Sequence, residues 1–473
     1  MLIAIDLGAE SGRVITGTLV DGRFAIDVVH RFPSTVVAVG ASLRWDVHAI
    51  FAEIRTGIAL AAKRGPIEAI GVDTWGVDYA LIDAAGELVE LPYCYRDPRT
   101  DGLPAVLHAR YGEQAFFARS GVRSLGFNTV FQLCAHRRDD AATLAKAARI
   151  IPISDLFHFW LSGELAWERT QVATWQLAIP GAAAWDEALI AELGFDRRWF
   201  GPITASGTVL GRVRPALASE LGLAAECQVV LPGGHDTASA VAGMGADPAR
   251  ACYLSSGTWS LIGALADQPV LSEACRLAQF SNEVAVDGRP RLNRNIMGLW
   301  VVQECRRAFV AAGRLASYAE LAQLAAAEPA SRLPLDVDDA RFFSSSLIDA
   351  PMPERVRAWC RERGVTEPGS DAQVVRLCLD GLADAYRRAL ADLERLGGRR
   401  FSAINIVGGG SNNTLLNQLT ADACGRPVLA GPGEATALGN LLVQARALGL
   451  ISPTARLRQP LNLVRLDPHT LHR

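Results

Sequence analysis

The stretch Asp6-Leu7-Gly8-Ala9-Glu10-Ser11-Gly12-Arg13 joins a carboxylate to an arginine across a run of small residues. Small residues let backbone N–H groups approach and converge on phosphate oxygens. Asp6 can offer an oxygen to a hard cation or to its water, and Arg13 can offset phosphoryl charge. The same residues also make a plain tight hairpin with a surface arginine. They do not form the helix-leading GxxxxGK[ST] loop. Ser255-Ser256-Gly257-Thr258-Trp259-Ser260 is a second turn of this kind, and two such turns can grip a polyphosphate from both sides. Taken singly, its hydroxyls need only satisfy the turn. Gly408-Gly409-Gly410-Ser411-Asn412-Asn413 follows an apolar strand and precedes a helix, so a ligand can lie on bare backbone near a helix N-terminus; an Asn-capped strand-to-helix turn looks the same.

His235-Asp236-Thr237, after Pro232-Gly233-Gly234, places a carboxylate at a helix start. Asp236 can orient an acceptor hydroxyl and take its proton, or it can simply cap the helix. Asp73-Thr74-Trp75-Gly76-Val77-Asp78, with Tyr95-Arg96-Asp97 and Asn295, supplies the short polar and flat aromatic groups that bind polyols. Trp45, Trp160 and Trp300 read as core or lining residues.

The elements that must hold these groups are legible from periodicity. Leu2–Ile5 is a short apolar strand and Val14–Leu19 a second, closed by Asp21-Gly22. Ile50–Lys63 has helical spacing, Ala69–Val72 reads as a strand, and Tyr79–Ile82 continues β-like. The region from about 99 to 149 looks largely helical. Val229–Leu231 is a strand, and Asp236 opens a helix of small residues. CYLSSGTWSLIGAL repeats the strand–turn–strand pattern of LIAIDLGAESGRVITGTL, which suggests two related halves meeting near residues 243–250. Val374–Leu396 is a long amphipathic helix, Ile404–Val407 a strand and Leu415–Cys424 a helix stopped by Gly425. The whole reads as α/β with mixed sheets.

The chain has 473 residues, enough for two or three domains, and a formal net charge of -3. A weakly acidic chain gives no electrostatic case for nucleic acid or an anionic membrane surface. The nine cysteines are scattered without a CxxC pair, so reduced thiols are expected rather than a disulfide or metal framework. No secretory signal or membrane span is apparent, and the cytoplasm is expected by elimination.

DLGAESGR, GVDTWGVDYALID, YRDPRTDG, HDTASAV, YLSSGTWSL, NIMGLWVVQ and VGGGSNNTLLNQLTADACG together resemble the FGGY carbohydrate kinases, in order from residue 6 to about 445. Within that family the likeness is to the branch acting on L-rhamnulose. The resemblance implies two ribonuclease H-like domains of the actin-like ATPase superfamily with an active-site cleft between them. The N-terminal domain, 1–243, would hold the sugar and the first phosphate hairpin. The C-terminal domain, 244–450, would hold the nucleotide, and 451–473 would be a tail. It implies phosphorylation of L-rhamnulose to L-rhamnulose 1-phosphate in rhamnose catabolism, using ATP and Mg2+, by a monomer or small homo-oligomer. Asp236 would be the catalytic base. Gly76, His235, Asp236, Thr237 and Asn295 would bind sugar. Ala9, Glu10, Ser11, Gly12, Arg13, Thr258, Gln303 and Gly409 would contact ATP, and Asp6 the metal. Three departures stand out: Glu10 where the family has a small residue, a less hydroxyl-rich segment at 170–176, and Thr420 where some relatives have a cysteine. Other readings are the same chemistry on L-fuculose or a ketopentose, a non-catalytic sugar- or nucleotide-binding regulator, and an actin-like chaperone ATPase, for which no peptide-binding segment follows residue 450.

Overall fold

The computed structural model describes residues 1–314, 317–343, 349–454 and 463–469. The first strand, β1 (Leu2–Leu7), is buried throughout, which is why its sequence is a continuous apolar run rather than an alternating one. β2 (Ser11–Val20) returns antiparallel to it, with Leu7 opposite Gly12. β3 (Arg23–Pro33) follows through Asp21-Gly22, whose positive φ values of 51° and 76° match a primed hairpin turn. Helix α1 (Val47–Ala62) starts where Asp46 accepts the Ala49 N–H at 3.0 Å. β4 (Ala69–Thr74) then runs parallel to β1, setting Asp73 beside Asp6. α2 (Ile153–Ser162), β5 (Val209–Arg212), β6 (Gln228–Val230) and α3 (Asp236–Ala242) complete this part of the chain. The strand order is β3-β2-β1-β4-β6-β5. The stretch expected to be largely helical is broken into Leu103–Tyr111, Glu113–Ser120 and Thr129–Asp139, the first two bounded by Gly112 and Gly121.

The second unit repeats the pattern. β7 (Ala251–Ser256) and β8 (Trp259–Leu265) form an antiparallel hairpin. β9 (Pro290–Met297), helices α4 (Trp300–Ala311), α5 (Tyr318–Ala326) and α6 (Asp371–Gly397), and β10 (Ala403–Val407) follow. β10 lies parallel to β7, as β4 does to β1. α7 (Thr414–Cys424), β11 (Val428–Ala430) and β12 (Val464–Leu466) close the set, in strand order β9-β8-β7-β10-β11-β12.

The last long helix, α8 (Ala435–Ala447), belongs to the first unit. Its Gln444 donates to the Ile3 carbonyl at 2.8 Å, and its Asn440 donates to Gly71 at 3.2 Å and to Asp73 at 2.6 Å. The compact units are interleaved along the chain. The first holds Met1–Gly243, Ala266–Arg291 and the stretch that begins with α8, and the second holds Met244–Leu265 and Leu292–Glu434.

α8 also fixes α3, because their backbones nearly touch. A Cβ on Gly439 would lie 1.8 Å from the Ser239 carbonyl oxygen, and one on Gly243 would lie 2.1 Å from that of Ala435. Neither obstacle is a flexible side-chain tip, so the helices themselves would have to part. Gly439→Ala is expected to cost about 3 kcal/mol of stability, read as a lowered urea midpoint. An unchanged midpoint would mean that the crossing has slack.

Candidate active site

At the carboxyl ends of β1 and β4, Asp6 and Asp73 are neighbours on adjacent strands, 3% and 0% exposed. Arg13 pairs with Asp6. Asp73 Oδ2 accepts from Asn440, while its Oδ1 is buried without a hydrogen-bond partner among the described residues. Burial, then the charge of Asp6, pushes the Asp73 carboxyl well above its usual range; the Asn440 hydrogen bond opposes this and Asp236 adds to it. Paired carboxylates with an orphaned oxygen suit a hard cation such as Mg2+. No group of three or more His, Cys, Asp or Glu residues able to hold a metal occurs among the described residues. Other ligands would therefore be water or substrate oxygens. The sequence reading named Asp6 alone for the metal and placed Asp73 with the polyol-binding cluster, although the two carboxylates are strand neighbours. The signal was present, since AIGVDT ends an apolar run in aspartate just as LIAIDL does.

The turn after β1 is shorter than the stretch Ala9–Arg13 suggests. Gly8 N–H donates to Ser11 O at 3.1 Å, and Ser11, Gly12 and Arg13 already lie on β2. Ala9 is half-buried and Glu10 is exposed at the tip. Ser34 ties the turn down, its N–H donating to Glu10 O at 3.1 Å and its hydroxyl to Gly8 O at 2.6 Å.

Asp236 begins α3, and its contacts converge on one oxygen. Oδ1 accepts from Thr237 N–H at 2.5 Å and from the Thr237 hydroxyl at 3.1 Å, and sits 2.8 Å from His235 Nδ1. Oδ2 takes no hydrogen bond among the described residues, and the side chain is 32% exposed. The carboxylate is thus held by one oxygen and offered by the other. His235 Nε2 lies 3.7 Å from Glu283, which is itself paired with buried Arg291. Gly76 faces the same imidazole: a Cβ there would come 3.2 Å from His235 Nε2 and from Thr174 Cγ2.

Asp78 is an anchor rather than an open ligand. It accepts from Trp45 Nε1 at 2.7 Å, Trp75 Nε1 at 2.8 Å, Gln132 Nε2 at 2.8 Å and Tyr95 N–H at 3.2 Å. Burial pushes its carboxyl up to about 6 against these donors. The indoles it holds pack with centroids 4.0 Å apart, which keeps the Trp75–Val77 turn in place.

The second unit encloses a cavity of about 750 Å³ between α4, α5, α6 and the Gly409–Leu415 segment. Leu299, Val302, Leu321, Val375 and Leu379 give it apolar walls wide enough for a flat heterocycle. Gln303 and Gly409 both line it, and Gln303 Oε1 is buried without a hydrogen bond among the described residues. The three glycines serve different needs. Gly408 has φ of 82°, Gly410 packs so tightly that a Cβ would meet Ser256 Oγ at 2.0 Å, and Gly409 has open space on its Cβ side. Asn413 caps α7, accepting Leu416 N–H at 3.0 Å. Thr258 follows Gly257 of the cavity wall, and its carbonyl accepts Trp300 N–H at 3.2 Å at the start of α4. Asn295 is half-buried on β9 and makes no side-chain hydrogen bond among the described residues. The first unit thus gathers Asp6, the Ala9–Arg13 stretch, Gly76 and His235–Thr237, whereas Thr258, Asn295, Gln303 and Gly409 belong to the second.

The N-terminal domain model of the FGGY family of carbohydrate kinases matches residues 1–243, and its C-terminal domain model matches residues 252–448. The chain is 40% identical over 460 residues to the rhamnulokinase of Klebsiella pneumoniae subsp. pneumoniae, covering 97% of this chain and 91% of that protein. It is 36% identical over 457 residues to the rhamnulokinase of Bacteroides thetaiotaomicron, covering 96% and 92%. Among solved structures, a ligand-bound xylulose kinase from Lactobacillus acidophilus superimposes with a TM-score of 0.81 at 16% identity, over 99% of this chain and 94% of that one, which shows the shared fold.

The raised Asp73 carboxyl makes a signed prediction. A folded value above the unfolded one stabilises below the unfolded range, and the contribution fades as pH rises through the folded value. Asp73→Asn, which mimics the protonated group, is expected to raise Tm more at about pH 8 than at about pH 5. The same gain at both would refute the placement of an unfavourable charge there.

Proposed function

Since the chain belongs to the FGGY family of carbohydrate kinases, we propose that it transfers the γ-phosphoryl group of ATP to the primary hydroxyl of L-rhamnulose, giving ADP and L-rhamnulose 1-phosphate. The observation that carries this reading is the Asp236 carboxylate, fixed through Oδ1 and presenting Oδ2. The acceptor oxygen attacks phosphorus, the bond to the ADP oxygen breaks, and the acceptor proton passes to Oδ2. Such transfers need positioning and charge stabilisation more than covalent help. Arg13 and the backbone of the Gly8–Glu10 turn would face phosphate oxygens. Asp6 and Asp73 would hold Mg2+, which supplies positive charge to the phosphates when bound.

The 750 Å³ cavity suits the adenosine moiety, with Gln303 Oε1 as a ready acceptor and Gly409 leaving room. His235, Thr237, Gly76 and Asn295 are assigned to the sugar. Its identity draws on the relatives named rhamnulokinase. The nine cysteines are all free, and no described helix is long and apolar enough to cross a membrane.

A panel of ketoses with coupled ADP detection tests the reading. L-Rhamnulose is expected to exceed L-fuculose and the ketopentoses in kcat/KM by at least about 10-fold. A higher value for one of those competitors would move the assignment to that sugar. No turnover with any ketose would remove it.

A further inference from the structure

Glu168 is completely buried, yet no part of the reaction described so far uses it. Its Oε2 accepts from Thr170 N–H at 2.8 Å, the Thr170 hydroxyl at 2.5 Å, Gln171 N–H at 3.2 Å and Gly234 N–H at 3.1 Å. Its Oε1 accepts from the Ser206 hydroxyl at 2.5 Å. Thr170 Oγ1 in turn accepts His235 N–H at 3.0 Å, and Gln171 Nε2 donates to Gly234 O at 2.7 Å and to Trp75 O at 3.0 Å. The backbone of the residues before Asp236 is therefore hung on one carboxylate and its two neighbours.

The anchor is itself fixed to the sheet. His158 Nε2 accepts Val72 N–H at 3.0 Å, which leaves Nδ1–H to donate to Asp155 Oδ1 at 3.1 Å. Asp155 Oδ2 accepts Glu168 N–H at 2.7 Å. Burial pushes the Glu168 carboxyl up to about 7, with Ser206 and Thr170 opposing and Asp155 adding to the rise. A buried group of this kind is costly for stability alone, which points to a positional use.

We propose that Glu168 is the positioning residue for the Gly234–Asp236 turn, acting through Gly234 and Thr170 to aim Asp236 at the acceptor hydroxyl. This rests on the reading of Asp236 as the base. Glu168→Ala is expected to lower kcat by about 100-fold, the loss typical of a 1 Å misplacement, with the KM for ATP within about 2-fold. Glu168→Gln can keep a carbonyl oxygen at the Oε2 position and donate to Ser206, so it should retain kcat within about 5-fold. In an Asp236→Asn background, Glu168→Ala should have no further effect.

If Glu168→Ala does not fold, Thr170→Val removes the bridging hydroxyl. It is expected to cost about 10-fold in kcat, again without further loss in the Asp236→Asn background. A wild-type kcat in the folded variant, or an equal fold-loss in both backgrounds, would overturn the proposal. An Asp236→Asn enzyme with wild-type turnover would overturn the base assignment instead, and Glu168 with it.

Discussion

Everything chemical in the first unit depends on where α3 starts. A helix N-terminus offers free N–H groups, and Asp236 uses the Thr237 N–H, the Thr237 hydroxyl and His235 to immobilise one carboxylate oxygen. The other oxygen is aimed only as well as the helix is held. Two constraints hold it from different sides. The crossing with α8 admits no Cβ at Gly439, and the Gly234 turn is tied to the Glu168 carboxylate. β4 joins the same framework, because Thr74 N–H donates to Gly234 O at 2.8 Å.

That arrangement concentrates negative charge. Asp6 and Asp73 lie side by side at the strand ends, and Asp236 is close enough to raise the Asp73 carboxyl further. Arg13 and Asn440 offset part of the repulsion. In the proposed reaction the remainder would be offset by a hard cation held with the phosphates. The cavity of the second unit is built differently: apolar walls, uncharged lining residues and a glycine whose Cβ side is open.

Much of this was legible in the sequence, because the elements are locally consistent. The apolar runs at Leu2–Ile5, Ala69–Val72 and Ile404–Val407 became central strands, and each strand ran one or two residues beyond its apolar signal at one end. The likeness between the two hairpins became a repeated topology, each with a parallel partner strand. His235–Thr237 proved to be one hydrogen-bonded unit with Gly76 beside it. What stayed hidden was long-range. Nothing local in Ala435–Ala447 says that it packs on the first strand, where Gln444 reaches Ile3 across 441 residues of chain. Glu168 and Asp73 each take a hydrogen bond from a partner far along the chain, 66 and 367 residues away.

The central claim is that Asp236 takes the acceptor proton, while ATP is held by other residues. Asp236→Asn keeps the shape and the Thr237 contacts of the side chain and removes its basicity. With L-rhamnulose and ATP it should lose about 10³-fold in kcat and keep the KM for ATP. A turnover number close to that of the unmodified enzyme would contradict the account.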